Sequence, residues 1–338
     1  MVKLDIINGF LGAGKTTLIN KLLKEGLADE NPVLIENEFG TVSIDHELIS
    51  ADVEVKLLAS GCICCSMKGD FISGIVSVVE KFHPGRIIIE PTGLANLEDV
   101  IAACRKAGEQ VPLRINSVIT VVNAHNFLAL MKVGGPFFRK QAEQACFALV
   151  SCTQLYTEDT IVSAVETFRA INRTCPVLTE EWAKLDALQI LGMAEEAWVR
   201  YGESVNLTDG HAQAFRHEQH SHHENSEHHE HDEQHEHNHH EHHQAENYTS
   251  EAFFPSRCYS GRELEDILIS LQNEDYGNIF RAKGFFRMED GSFELLEYVY
   301  GSGTHTPCNY KGIAKVVVIG KNLRETLRNL FEDVQGNG

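Results

Sequence analysis

Basic residues are scarce in this sequence: 29 Lys and Arg stand against 49 Asp and Glu, a formal charge of −20. A surface of that sign repels phosphate backbones and argues against a nucleic-acid partner. Long hydrophobic runs are missing too. No stretch approaches the roughly 20 apolar residues that cross a bilayer, so no membrane partner is expected. No leader segment precedes the first apolar run, which makes the cytoplasm the expected location. In that compartment the nine cysteines point to thiols or metal ligands rather than a disulfide framework. At 338 residues the chain is long enough for two domains.

The most informative segment that is present runs from Gly9 to Thr17. It fits G-x-x-x-x-G-K-[ST], with Gly9, Gly12, Ala13, Gly14, Lys15, Thr16 and Thr17 as the nucleotide-binding candidates. The apolar run Leu4–Ile7 before it reads as a strand, and Leu18, Leu22 and Leu23 after it have helical spacing. Strand, glycine loop and helix N-terminus together form a phosphate cradle. Lys15 is expected to reach the β- and γ-phosphates, and Thr16 to hold Mg²⁺.

Three further segments carry chemistry. Ile87-Ile88-Ile89 ends in Glu90 and then Gly93, where a P-loop protein places a Mg²⁺- or water-orienting carboxylate and a glycine that senses the γ-phosphate. Glu36 and Glu38 follow the strand Val33–Ile35 in a loop that suits metal binding or switching. Cys62, Cys64 and Cys65 crowd three thiols into four residues, a set suited to Zn²⁺ or Cu⁺, with Glu36 and Glu38 as candidates to complete the shell. The Cys62/Cys65 spacing also fits a redox pair.

Up to about residue 200, short branched runs alternate with helical periodicities, the pattern of a doubly wound, mostly parallel α/β sheet. Fourteen histidines interleaved with Glu lie between His211 and His243. Among them His222, His223, His228, His229, His231, His235, His237, His239, His240, His242 and His243 form a candidate weak metal tract. With almost no large apolar residues, this linker (201–250) is expected to be disordered. Periodic apolar residues return in 251–335, which reads as a small α+β domain closed by a helix over Leu323–Phe331.

Taken together, the P-loop, Glu36-Asn37-Glu38-Phe39-Gly40, Gly61-Cys62-Ile63-Cys64-Cys65, Glu90-Pro91-Thr92-Gly93 and Arg281-Ala282-Lys283-Gly284-Phe285 resemble the CobW-type metal-handling GTPases. These are relatives of the nickel-insertion GTPases of hydrogenase and urease. The resemblance implies a P-loop GTPase domain over 1–200, metal at the Cys motif and a C-terminal domain. It also implies a GTP-hydrolysing metallochaperone that carries Zn²⁺, or else Co²⁺, Ni²⁺ or Fe²⁺, to a client metalloprotein. A homodimer is left open. The cobalt or iron alternatives would serve a corrinoid pathway or a nitrile hydratase, and a rival of another class is a metal buffer with a vestigial P-loop. One departure stands out. The family's Asn-Lys-x-Asp, which reads guanine, is Ser151-Cys152-Thr153-Gln154 here, so Gln154 is the remaining base-contact candidate and the base preference stays open. Thr41 and Asn123 also stand where acidic residues are common.

Imidazole binds metal only when neutral, and its reference pKa is about 6.5. The chain should therefore hold weak, exchangeable Zn²⁺ at about pH 7.5 beyond any tight site and release it by about pH 5.5. Equilibrium dialysis of the chain with and without residues 211–246 checks this; excess metal that persists after the deletion would refute it.

Overall fold

The computed structural model describes residues 1–36, 54–57, 68–133, 135–207 and 248–332. Glu38, Cys62, Cys64, Cys65 and the histidine tract lie outside them. The first unit is a parallel sheet of β1 (Val2–Gly9), β2 (Pro32–Glu36), β3 (Glu54–Leu57), β4 (Arg86–Glu90), β5 (Leu113–Asn123), β6 (Ala148–Ser151) and β7 (Val177–Leu178). Their spatial order is β3-β2-β4-β1-β5-β6-β7. The fold class is α/β, with every pairing in this sheet parallel.

The connecting helices are α1 (Lys15–Glu25), α2 (Lys68–Phe82), α3 (Leu97–Gly108), α4 (Ala124–Val133), α5 (Gly135–Glu143), α6 (Glu158–Ile171) and α7 (Ala187–Leu207). α2 and α3 pack Phe71, Ile75, Val100 and Cys104 on the sheet face that carries Leu4 and Ile6. α1, α4, α5 and α6 pack on the opposite face with Ile7 and Ile88. β1 therefore lies between crossovers that leave to opposite sides, and its carboxyl end opens the crevice where such sheets bind ligands. Coverage on both faces explains why the strands read as continuous apolar runs rather than alternating ones.

Midway along β1, charge is buried. Asp5 is fully buried and accepts hydrogen bonds from Arg86 Nη1, Asn116 and Ser117. Arg86, also buried, donates in addition to Glu30 through Nε at 2.9 Å and Nη2 at 3.1 Å. The pair ties β1 to β4, whose register runs Lys3 to Arg86 and Ile6 to Ile89.

The second unit is an antiparallel sheet of β8 (Tyr248–Phe253), β9 (Asn278–Arg287), β10 (Phe293–Val299), β11 (Ser302–Cys308) and β12 (Lys315–Lys321), ordered β11-β10-β9-β12-β8. α8 (Gly261–Ser270), α9 (Arg328–Phe331) and the turn before α9 cover one face through Leu264, Ile267, Phe331 and Leu327. α8 starts on a reciprocal cap in which Ser260 and Glu263 satisfy each other's backbone N–H groups. One expectation needs correction, and one strand went unread. The closing helix is only α9, preceded by a 3-10 turn at Glu325–Leu327, because Leu327 and Phe331 are the anchors the core needs. β11 gave no periodic signal because it is an edge strand of small and polar residues with Pro307.

The other face of this sheet rests on the first unit. Phe280 and Ile319 belong to the core of the P-loop unit, with Tyr248, Tyr300 and Val317 packed against it. Aromatic rings run from Phe10 in the P-loop to Phe138 (5.8 Å), Phe280 (6.1 Å) and Tyr300 (5.9 Å).

Removing one partner of a buried ion pair strands the other charge. Arg86→Ala is expected to lower unfolding stability by about 3–5 kcal/mol, and Asp5→Leu combined with Arg86→Met to cost much less than the two single changes summed. Urea unfolding of the three variants measures both. Additive losses would mean that the charges are not coupled.

Candidate functional site

The glycines of the P-loop are there for geometry. Gly9, Gly12 and Gly14 have φ of 149°, 64° and 94°. A Cβ on Gly9 would lie 2.4 Å from the Val121 carbonyl oxygen, because the loop leaves β1 pressed against β5. Ala13 donates to the Phe10 carbonyl and closes the loop.

Beyond the loop, Lys15 is buried; its Nζ donates to the Phe10 carbonyl at 3.4 Å and stands 3.8 Å from Glu90 Oε1. Thr16 Oγ1 donates to Glu90 Oε2 at 3.4 Å. The lysine, hydroxyl and carboxylate assigned to phosphate and Mg²⁺ thus meet at one point, although Glu90 is 74 positions from Thr16. A hydroxyl beside a carboxylate is a hard oxygen donor set that fits Mg²⁺. Glu36 ends β2 directly opposite Glu90 in the parallel register, and both are buried. The one metal-ligand candidate among the described residues therefore sits beside the Thr16–Glu90 pair. Among those residues no group of three or more His, Cys, Asp or Glu is placed to hold a metal ion.

Gly93 lies against the P-loop: an added Cβ would be 2.8 Å from Leu11 Cδ2 and 3.1 Å from Leu11 N. Its carbonyl accepts from buried Gln141 Nε2 at 2.8 Å, a contact the sequence did not announce. Asn8 and Thr120, neighbours in the β1–β5 register, carry buried polar side-chain atoms with no hydrogen-bond partner among the described residues. Orphaned groups of this kind at a strand carboxyl end mark space for water or ligand.

The segment that replaces Asn-Lys-x-Asp is held close to the P-loop. Ser151 Oγ donates to the Ala13 carbonyl at 2.6 Å, and Trp182 Nε1 donates to the Val150 carbonyl at 2.9 Å. Cys152 adopts a left-handed φ of 57°. Burial pushes its thiol pKa up, and Tyr156, stacked on His125 at 5.4 Å, is pushed up for the same reason. Gln154 is exposed. The thiols of Cys146 and Cys175, pushed up to about 12 by burial, are inert protonated side chains rather than ligands. No helix of the described residues is long and apolar enough to cross a membrane.

Residues 3–179 match the model of the CobW/HypB/UreG nucleotide-binding domain. The chain is 37% identical over 128 residues to the zinc chaperone CobW of a Sinorhizobium species, covering 35% of this chain and 36% of that protein. It is 38% identical over 106 residues to the zinc chaperone YjiA of Escherichia coli K12, covering 30% and 33%. It is 24% identical over 355 residues to the zinc-regulated GTPase metalloprotein activator 1 of Schizosaccharomyces pombe, covering 95% and 83%. The match thus spans about a third of the length of the first two relatives.

Gly93→Ala should force the Leu11 backbone away from its place. Single-turnover hydrolysis of GTP is expected to fall at least about tenfold, as for other losses of transition-state geometry, while GDP binding changes little. Equal losses for both nucleotides would mean that Gly93 supports the loop without sensing the terminal phosphate.

Proposed function

The chain belongs to the CobW/HypB/UreG family, and on that premise we propose that it is a GTP-hydrolysing metallochaperone. It takes up Zn²⁺ at Cys62, Cys64 and Cys65 and delivers it to a client metalloprotein. The observation that supports hydrolysis is the convergence of Lys15, Thr16 and Glu90 at the end of the P-loop. Zinc is favoured by the thiolate donors, which suit a borderline-soft ion, and by the zinc chaperones among the relatives.

The residues divide the work. Backbone N–H groups from Gly12 to Thr16, at the N-terminus of α1, bind the phosphates. Lys15 is freed from the Phe10 carbonyl to stabilise charge on the β- and γ-oxygens. Thr16 and Glu90 would hold Mg²⁺, which supplies positive charge to the phosphate oxygens when bound. Gly93, on the segment that follows Glu90, gives the γ-phosphate a backbone contact that disappears with its release. The Glu36–Glu90 register links this event to the cargo loop, since Glu36 begins the segment that carries Glu38.

Lys15→Ala should abolish hydrolysis while the fold survives. The unaltered chain should turn over slowly without a client, on the order of 10⁻⁴ to 10⁻² per second. Phosphate release from GTP and ATP, measured with and without stoichiometric Zn²⁺, Co²⁺ and Ni²⁺, tests the enzyme, its base and its cargo together. Undiminished hydrolysis in the variant removes the enzymatic reading. Metal affinity that is identical in the nucleotide-free and GTP forms favours a metal buffer, since loading and release require coupling between the two sites.

A further inference from the structure

The motif Arg281-Ala282-Lys283-Gly284-Phe285 lies on β9, and the site described above makes no use of it. Lys283 and Glu297 are opposite each other in the β9–β10 register, and Lys283 Nζ lies 2.9 Å from Glu297 Oε1. They share a sheet face with Val317 and Ile319, which pack on the core of the P-loop unit, and with Phe285 and Leu295, which form a separate apolar cluster. A buried lysine on such a face calls for an explanation, because desolvating its charge opposes packing.

The end of β10 shows where this face lies. A Cβ on Gly12 would be 2.2 Å from Val299 Cγ2, so β10 rests on the phosphate loop itself. Glu297 is two residues back along the strand, about 6.8 Å away and on the same face. The loop that replaces Asn-Lys-x-Asp meets the P-loop at the same place, since Ser151 Oγ donates to the carbonyl of Ala13, the neighbour of Gly12. That loop lost a cation and a carboxylate, and the pair on the sheet is a cation and a carboxylate. The Lys283 side chain is 9% exposed and held in place, whereas that of Glu297 is 49% exposed and open to an incoming group.

We propose that the C-terminal sheet roofs the nucleotide pocket and that Glu297, positioned by Lys283, reads the guanine base in place of the missing aspartate. A carboxylate accepts from both N1–H and the N2 amino group of guanine. Adenine, with an unprotonated N1 and no N2 amine, offers neither donor. The inference rests on the nucleotide-binding reading above. It also gives the C-terminal domain a part in the cycle, since the strand that reads the base touches the loop that holds the phosphates.

The test is equilibrium binding of GTP, ITP, XTP and ATP with Mg²⁺ to the full chain, to Glu297→Gln and to Glu297→Ala. The unaltered chain should bind ITP, which lacks the N2 amine, about tenfold more weakly than GTP, and ATP more weakly still. In Glu297→Gln, GTP affinity should fall by about 10- to 100-fold and XTP affinity should rise, because an amide can donate to the xanthine O2 and accept from N1–H. In Glu297→Ala the GTP/ITP difference should vanish. The ITP comparison needs no variant and so does not depend on how a variant folds. Equal affinity of the unaltered chain for GTP and ITP, or an unchanged GTP/XTP ratio in Glu297→Gln, overturns the assignment. A ratio that moves instead with Gln154→Ala returns base reading to the β6 loop. A chain that binds no triphosphate overturns the nucleotide-binding reading and this inference together; one that binds with unaltered ratios overturns this inference alone.

Discussion

The buried pair of Asp5 and Arg86 governs the alignment on which the site depends. It joins the middle of β1 to the amino end of β4, the two strands whose carboxyl ends carry the P-loop and Glu90. Parallel strands slip easily where their residues are uniformly Ile and Val, because one apolar register buries nearly as much surface as another. A buried charge tolerates no such slip, since each displaced partner would be left unpaired in the interior. Asn116 and Ser117 extend the same constraint to β5. With the register set there, Glu90 arrives beside Lys15 and Thr16 at the carboxyl ends, and Glu36 arrives beside Glu90.

The second constraint is closeness at the phosphate loop. Gly9 is pressed on by β5, Gly93 by Leu11 and Gly12 by Val299. Each contact comes from a different part of the chain, and each leaves no room for a side chain. The loop is thus surrounded by elements able to register its occupancy: the segment after Glu90, the base-side loop tied by Ser151, and the C-terminal sheet. The aromatic series from Phe10 to Tyr300 supplies a packed route between the two units. Packed interiors move between discrete arrangements rather than deforming smoothly, which suits the cycle of loading and release proposed above.

Local signals in the sequence settled a good deal. The phosphate motif, the alternation of strand and helix and the short motifs are properties of neighbouring residues, and they determined the α/β class, the P-loop and the family. Strands buried on both faces announced themselves as apolar runs, and α8 by its apolar spacing. β11 was silent because an edge strand needs no apolar pattern, and the final helix was overread because Leu323 and Phe331 mimic a helical face across a turn.

Contacts between distant positions were decided only by the tertiary structure. Gln141 reaches Gly93 across 48 positions and Ser151 reaches Ala13 across 138. No periodicity encodes such pairs; strand order and packing create them. The same holds for Lys283 and Glu297. In the sequence they are a lysine of a motif without a task and an unremarked glutamate 14 residues later, and only the antiparallel register of β9 and β10, laid over Gly12 by the packing of the sheet on the P-loop unit, gives them a position beside the P-loop. The sequence by itself determined which chemical groups the protein owns, because chemistry is local to a side chain. The fold determined which of them act together, because proximity is a property of the whole chain.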